Sequence, residues 1–196
     1  MRKLKVTLIL ILILTSNPCL SQVTDSLENA IGERFKSVMT GLNKELSEFK
    51  GKHLPEFELT LLDGKKLSSE SLKGKPTLIN LWFSNCQPCI DEMPILNDIK
   101  SQLYGEVNFI SITFQDHKAV TEFLNRVDYN FTHIIDAKEY LKSFGFFGYP
   151  KTLILDKDLV ITEIEKFIPK DIENEVKNKA EFKNRIIHQL TELKKR

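Results

Sequence analysis

The chain has 196 residues, 41% of them hydrophobic and 28% charged, with a formal net charge of +1. That length and mix suit one globular domain with additional segments. The near-neutral balance does not point to nucleic acid, and no nucleic-acid partner is expected.

The first residues stand apart from the rest. Arg2, Lys3 and Lys5 precede an apolar run from Val6 to Leu14, which Ser16-Asn17-Pro18 breaks. Cys19-Leu20-Ser21 then supplies small residues for a cleavage site, so residues 1–21 read as a secretory signal peptide. The apolar core is about half the roughly 20 residues that cross a bilayer, so no stable membrane span is expected. Lipidation of Cys19 is the alternative, but Ser16-Asn17-Pro18 is a poor match to the Leu-Ala-Gly-like box before acylated cysteines. Cleavage after Ser21 removes three basic residues, moving the net charge from +1 to −2, and leaves Cys86 and Cys89 as the remaining cysteines. Export places that pair in a disulfide-permissive compartment, where so short a loop adds little stability.

Residues 22–53 form an N-terminal helical segment. Leu27, Ile31, Phe35, Val38, Met39, Leu42, Leu46 and Phe49 recur at helical spacing over 24–50. It reads as a helix packed on the domain or a spacer, with dimerisation as the sharper alternative. Residues 54–196 form the main domain. Phe57, Leu59 and Leu61 alternate as a half-buried strand, Asp63-Gly64 signals a turn, and Lys66-Leu67 returns as a hairpin. Thr77 to Phe83 reads as a buried strand and Ile90 to Lys100 as a helix. Next come a buried strand from Val107 to Phe114, a helix from Lys118 to Val127, a short strand from Phe131 to Ile135 and a short helix from Ala137 to Phe144. Thr152 to Leu155 and Val160 to Glu165 pair across the Asp156-Lys157-Asp158 turn, and a last helix runs from about Lys179. Strands alternating with helices and ending in a hairpin predict an α/β fold with a mixed sheet.

Cys86-Gln87-Pro88-Cys89 lies between the central strand and its helix. The first sulfur therefore meets the unpaired N–H groups and positive dipole end of a helix N-terminus, which favour a thiolate. Cys86 is expected to be exposed and to attack. Pro88 suits the first turn, having no N–H to leave unpaired. Cys89, about one turn in, is expected to be more buried and to resolve the mixed disulfide. A metal site needs more ligands than one CxxC supplies, so no metal is expected. The histidines His53, His117, His133 and His188 lie scattered and read as structural.

Asp63-Gly64-Lys65, Lys73-Gly74-Lys75, Asn80-Leu81-Trp82, the CxxC, Glu92-Met93-Pro94 and Gly148-Tyr149-Pro150-Lys151-Thr152 occur in a telling order and spacing. Together, over residues 54–194, they resemble the exported thioredoxin-like thiol–disulfide oxidoreductases of the TlpA/ResA-like group, which overlaps the peroxiredoxin-like class. The resemblance implies a thioredoxin-like fold: a central mixed sheet flanked by helices, an N-terminal hairpin, and an extra βα insertion before a cis-proline. It implies that Cys86 and Cys89 form the redox-active disulfide, with no other cofactor. It also implies protein thiol or disulfide substrates and a membrane or extracytoplasmic electron donor. Glu92, three residues after Cys89, becomes a candidate carboxylate that raises the thiol pKa values and relays the Cys89 proton. A solvated first-turn Glu is the plainer reading. A cis bond between Tyr149 and Pro150 would face the CxxC and offer the Tyr149 backbone to an extended substrate. Among Phe144, Phe146, Phe147 and Tyr149, alternation suggests that Phe146 or Phe147 faces outward as an apolar docking patch; Phe147 is the candidate named with Tyr149, Pro150 and Pro88 as substrate-binding.

Two departures bear on these expectations. Asn85 stands where the family usually has Trp, beside the first cysteine, and Asn80 stands where thioredoxins bury an Asp. Two rivals are weaker. A peroxidase of the Pro-x-x-x-Thr-x-x-Cys kind would need Pro where Ile79 or Trp82 stands. A copper-binding module of this fold would usually have three residues between its cysteines rather than two, with His117 or His133 completing a weak site. Glu92 disfavours a very low thiol pKa, which favours the reducing direction.

Overall fold

The computed structural model describes residues 46–145, 147–169 and 173–195. The signal peptide, Cys19 and most of the 24–50 helix lie outside the described residues. Leu46 and Phe49, from its end, pack into the core of the domain, with the Phe49 and Phe144 rings 5.0 Å apart.

The centre is a five-stranded mixed sheet. Its strands are β3 (Thr77–Leu81), β4 (Asn108–Ile112), β5 (Thr132–Ile134), β6 (Lys151–Leu155) and β7 (Ile161–Glu165). The spatial order is β5-β4-β3-β6-β7, with β3–β4 and β4–β5 parallel and β3–β6 and β6–β7 antiparallel. β3 and β6 are buried along their whole length, which is why their sequences are almost continuously apolar.

The sheet divides the core by the two-residue alternation of its strands. Leu78 and Ile154 face one way, into a cluster with Leu96 and Ile99 of α1 (Gln87–Gln102) and Phe182, Ile186 and Leu190 of α4 (Glu175–Lys195). Val120 and Phe123 of α2 (His117–Leu124) join that layer. Ile79, Leu81, Leu153 and Leu155 face the other way, with Leu141 of α3 (Lys138–Lys142) and Phe144.

The hairpin of β1 (Glu58–Thr60) and β2 (Lys66–Ser68) turns through Gly64, whose φ of 84° suits glycine. Leu61 bridges to Ile134 and Ile135 N–H donates to Thr60 O, so the hairpin covers the β5 edge of the main sheet.

The elements occur in the expected order with different limits. The central strand stops at Leu81 rather than Phe83, and β4 stops at Ile112 rather than Phe114. α2 begins at His117 because Asp116 caps it, its carboxylate accepting from Ala119 N–H at 2.8 Å. α4 starts at Glu175, four residues before the expected Lys179. Its first turn has an exposed Val176 among polar residues, so no apolar periodicity marks it.

Candidate active site

β3 delivers the chain to the redox pair. After Leu81, residues 82–85 lead to Cys86, the N-cap of α1, whose sulfur accepts from Cys89 N–H at 3.3 Å. Pro88 lies in the first turn, where its ring fits the helix. Cys86 and Cys89 are joined as a disulfide, with Cα atoms 5.2 Å apart.

The expectation of an exposed first sulfur is corrected. Cys86 is only 5% exposed and Cys89 1%. Both belong to the cluster that contains Trp82 and Met93, and the half-buried Phe83, Ile90 and Tyr149 pack against it. The neighbouring Asn85, where the family usually has Trp, is exposed.

Glu92 is not a solvated first-turn residue. It is 2% exposed, one turn after Cys89 on the buried face of α1. Burial pushes its carboxyl up to about 7; a hydrogen bond from Ile168 N–H at 2.9 Å and the charge of Lys151 hold it from going higher. Asp91 lies on another face, half-buried, and accepts from Gln87 Nε2. Asn80, under the site in β3, donates to Thr152 Oγ1 at 3.1 Å and accepts from Tyr129 OH at 2.9 Å. That position is a satisfied neutral amide.

The Tyr149–Pro150 peptide bond is cis. β6 begins at Lys151, opposite Leu81, so Pro150 lies at the end of the sheet from which the CxxC emerges. Phe147 is largely buried, its ring 5.0 Å from that of Tyr149, so it does not stand out from the surface but takes part in the wall of a groove; Phe146 lies outside the described residues. Beside Phe83 and Tyr149 the exposed ring is Phe114, 41% exposed, which the sequence assigned to a buried strand. Its ring lies 5.7 Å from Phe83 and 6.1 Å from Tyr149. Phe114, Leu141, Phe147 and Tyr149, together with Lys138, Lys142 and Gly145, line an open groove of about 320 Å³.

Sequence reasoning also missed Lys151. It is 4% exposed, and its ammonium donates to Gly148 O at 2.6 Å and Pro150 O at 3.1 Å. Burial brings it down to about 8, against the upward pull of Glu92. The available signal was a lysine directly before an apolar strand that pairs with the centre of the sheet.

His133 is structural, as read: its Nε2 bonds the Tyr129 carbonyl and its Nδ1 meets Ser111 Oγ at 2.6 Å. Since a carbonyl only accepts, Nε2 carries the proton and Nδ1 accepts from the hydroxyl. Among the described residues there is no group of three or more His, Cys, Asp or Glu placed to hold a metal ion.

The Redoxin family model matches residues 49–181. The chain belongs to the Redoxin family. Within that family it is similar to the thioredoxin-like protein YneN of Bacillus subtilis, at 32% identity over 125 residues, 62% of this chain and 74% of that protein. It is also similar to the thiol-disulfide oxidoreductase ResA of Bacillus thuringiensis, at 36% identity over 120 residues, 59% of this chain and 69% of that protein. Two solved structures share its thioredoxin-like fold. A thiol:disulfide interchange protein of Chlorobium tepidum aligns with a TM-score of 0.58 and 22% identity over 72% of this chain and 97% of its own. Another from a Bacteroides species aligns with a TM-score of 0.59 and 19% identity over 72% and 90%. With its CxxC at disulfide distance, this Redoxin-family protein is a thiol–disulfide oxidoreductase of the ResA-like group.

Proposed function

We propose that the protein reduces disulfides of protein substrates outside the cytoplasm. The observation that carries the reducing direction is the burial of Glu92 one turn beyond Cys89. A carboxylate there opposes a thiolate, so the dithiol is a poor resting state for a strong oxidant and a good donor. The basic-then-apolar start of the chain, residues 1–21, supports export.

In this reading the Cys86 thiolate attacks one sulfur of the substrate disulfide, and the other substrate sulfur leaves as a thiolate. Cys89 gives its proton to the Glu92 carboxylate and attacks Cys86 Sγ. The Cys86–Cys89 bond forms as the bond from Cys86 to the substrate breaks, and the second substrate thiolate takes up a proton. Two electrons pass from the dithiol to the substrate. An extracytoplasmic or membrane-held dithiol then reduces Cys86–Cys89 again. In this reading Tyr149, Pro150 and Pro88 receive the substrate chain beside the redox pair, and the neighbouring Phe83, Phe114 and Tyr149 rings provide apolar contact for it.

The test is catalysed insulin reduction with a dithiol donor, alongside the reduction potential of the pair. Turnover with a potential below that of the glutathione pool is the expected result. A potential near those of strong oxidants, roughly −120 mV, would reverse the direction. Mass spectrometry of the mature chain should find it starting at Gln22; a retained Met1 on cytoplasmic protein would remove the export reading.

A further inference from the structure

Gln115 is a half-buried amide that the exchange steps above do not use. Its Oε1 accepts from Ser84 N–H at 2.6 Å, and its Nε2 donates to Ser84 Oγ at 2.8 Å. The partners fix the orientation of the amide: an N–H only donates, so the carboxamide oxygen must face it. Ser84 and Asn85 form the centre of a turn closed by Cys86 N–H, which donates to Phe83 O at 3.1 Å. That bond does not engage Ser84 N–H, and the Gln115 side chain takes it. The place of the pair in the sheet explains the fit. β3 and β4 run parallel with Leu81 beside Ile112, and Ser84 and Gln115 each stand three residues beyond those last paired residues. A carboxamide carries the donor and the acceptor of a peptide group, so it prolongs the pairing where the strands have ended. Phe83 and Phe114, one residue earlier on each segment, also meet, their rings 5.7 Å apart. The backbone that presents the amide is itself held. Gln115 N–H donates to Thr113 Oγ1 at 3.3 Å, Gln115 O accepts from Asp136 N–H at 2.9 Å, and the next residue, Asp116, caps α2.

We propose that Gln115 is a positioning residue for thiol–disulfide exchange: its amide holds the turn before the CxxC against the end of β4 and so keeps Cys86 Sγ at the N-terminus of α1 once the disulfide has opened. In the oxidised protein the Cys86–Cys89 bond itself fixes the sulfur. Reduction removes that bond. The helix side is then held by the buried face of α1, and the other side by the Phe83–Cys86 turn, which Gln115 ties to the segment after β4. A thiolate gains from a helix N-terminus only while it stays at the cap, so the clamp bears on the acidity of Cys86 and on its rate of attack. Gln115 acts through Ser84 and not on the sulfur. The inference rests on the reading of Cys86 as the attacking sulfur.

Alkylation of the reduced protein by iodoacetamide, followed across the thiol titration with the labelled cysteine identified by peptide mass spectrometry, tests this. In the parent Cys86 should be labelled first. Gln115→Met keeps the length of the side chain and removes both bonds to Ser84. It should raise the pH midpoint of Cys86 labelling by about half a unit, the size of a helix-terminus effect on an adjacent charge, and so slow labelling about threefold below the midpoint while sparing it above. Ser84→Ala keeps the N–H bond and should raise the midpoint less. Adding Ser84→Ala to Gln115→Met should raise it no further, because the two side chains act as one clamp. An unmoved midpoint in Gln115→Met would reduce Gln115 to a packing role and overturn the proposal, as would shifts that simply add in the double variant. First labelling at Cys89 in the parent would overturn the reading of Cys86 as the attacker, and this proposal with it. If Gln115→Met does not fold, amide hydrogen exchange in the intact protein decides the question. Ser84 N–H should stay protected when the disulfide is reduced; a Ser84 amide that then exchanges like an open chain overturns the proposal.

Discussion

The backbone N–H of Ile168 donates to Glu92 Oε1 at 2.9 Å, across 76 residues of sequence. The segment after the last strand therefore closes over the carboxylate beside the redox pair and removes it from water. Glu92 is raised from 4.5 to about 7, so the folded state holds its proton where the unfolded chain has lost it. The favourable contribution of this group is full below about pH 4.5 and is lost as pH rises through 7. Glu92→Gln keeps an oxygen to accept from Ile168 but has no charge to bury. Relative to the parent it should gain stability between pH 4.5 and 8, by on the order of 3 kcal/mol. Urea unfolding at the two pH values measures it; an equal difference at both would mean that Glu92 titrates normally.

Glu92→Gln should also lower the Cys86 thiol pKa and slow exchange, while Asp91→Asn does little, since Asp91 is turned to Gln87 on another face. Thiolate absorbance in the reduced proteins separates the two. A Cys86 value identical in parent and Glu92→Gln would show that the carboxyl does not influence the sulfur.

Cys89 lies deeper than Cys86 on the same helix start, 1% against 5% exposed. An incoming sulfur therefore meets Cys86 first. Cys89→Ser should accumulate mixed disulfides through Cys86, and Cys86→Ser far fewer. Non-reducing gels of both variants after challenge with an oxidised protein check the roles, which equal trapping would contradict.

Trp82 is the one tryptophan of the chain and is fully buried in the same cluster as both sulfurs. Disulfides quench indole emission on contact. Reduction of Cys86–Cys89 should raise the fluorescence without shifting it far to the red, because the ring stays in its cage of Phe123 and Tyr129. The change supplies the signal for a redox titration. Emission that is insensitive to dithiothreitol would place the indole out of reach of the sulfurs.

His133 responds to acid with the opposite sign to Glu92. Burial lowers it from 6.5 to about 4, so on acidification the unfolded chain takes up a proton that the folded one refuses. Its contribution is present above pH 6.5 and is lost as pH falls through 4, on the order of 3 kcal/mol in all. His133→Gln should flatten that loss, at about 1–2 kcal/mol at neutral pH for the bonds to Ser111 and Tyr129. Denaturation midpoints across pH 4 to 7 test it; a parent and variant that run parallel would refute it.

Much of this protein is written locally. Apolar alternation and turn residues placed the hairpin at Asp63-Gly64, the central strand before the CxxC, and β6 with β7 around Asp156-Lys157-Asp158. The helix-start position of Cys86 followed from the same reading, because capping and strand-to-helix junctions depend on neighbours in sequence. What it did not contain was which groups lose water. Cys86 lies in a buried cluster against which Phe83 and Tyr149 pack, Phe114 is left exposed beyond the end of β4, and Phe147 is largely buried. Glu92 and Lys151 were a helix residue and a strand-edge residue until β6 paired with β3 and residue 168 closed over the helix. Their charges are set by desolvation and by each other, and both depend on distances between segments far apart in the chain. Periodicity along a sequence records which face of an element is apolar; only the packed structure decides which charged side chains that face takes with it into the core.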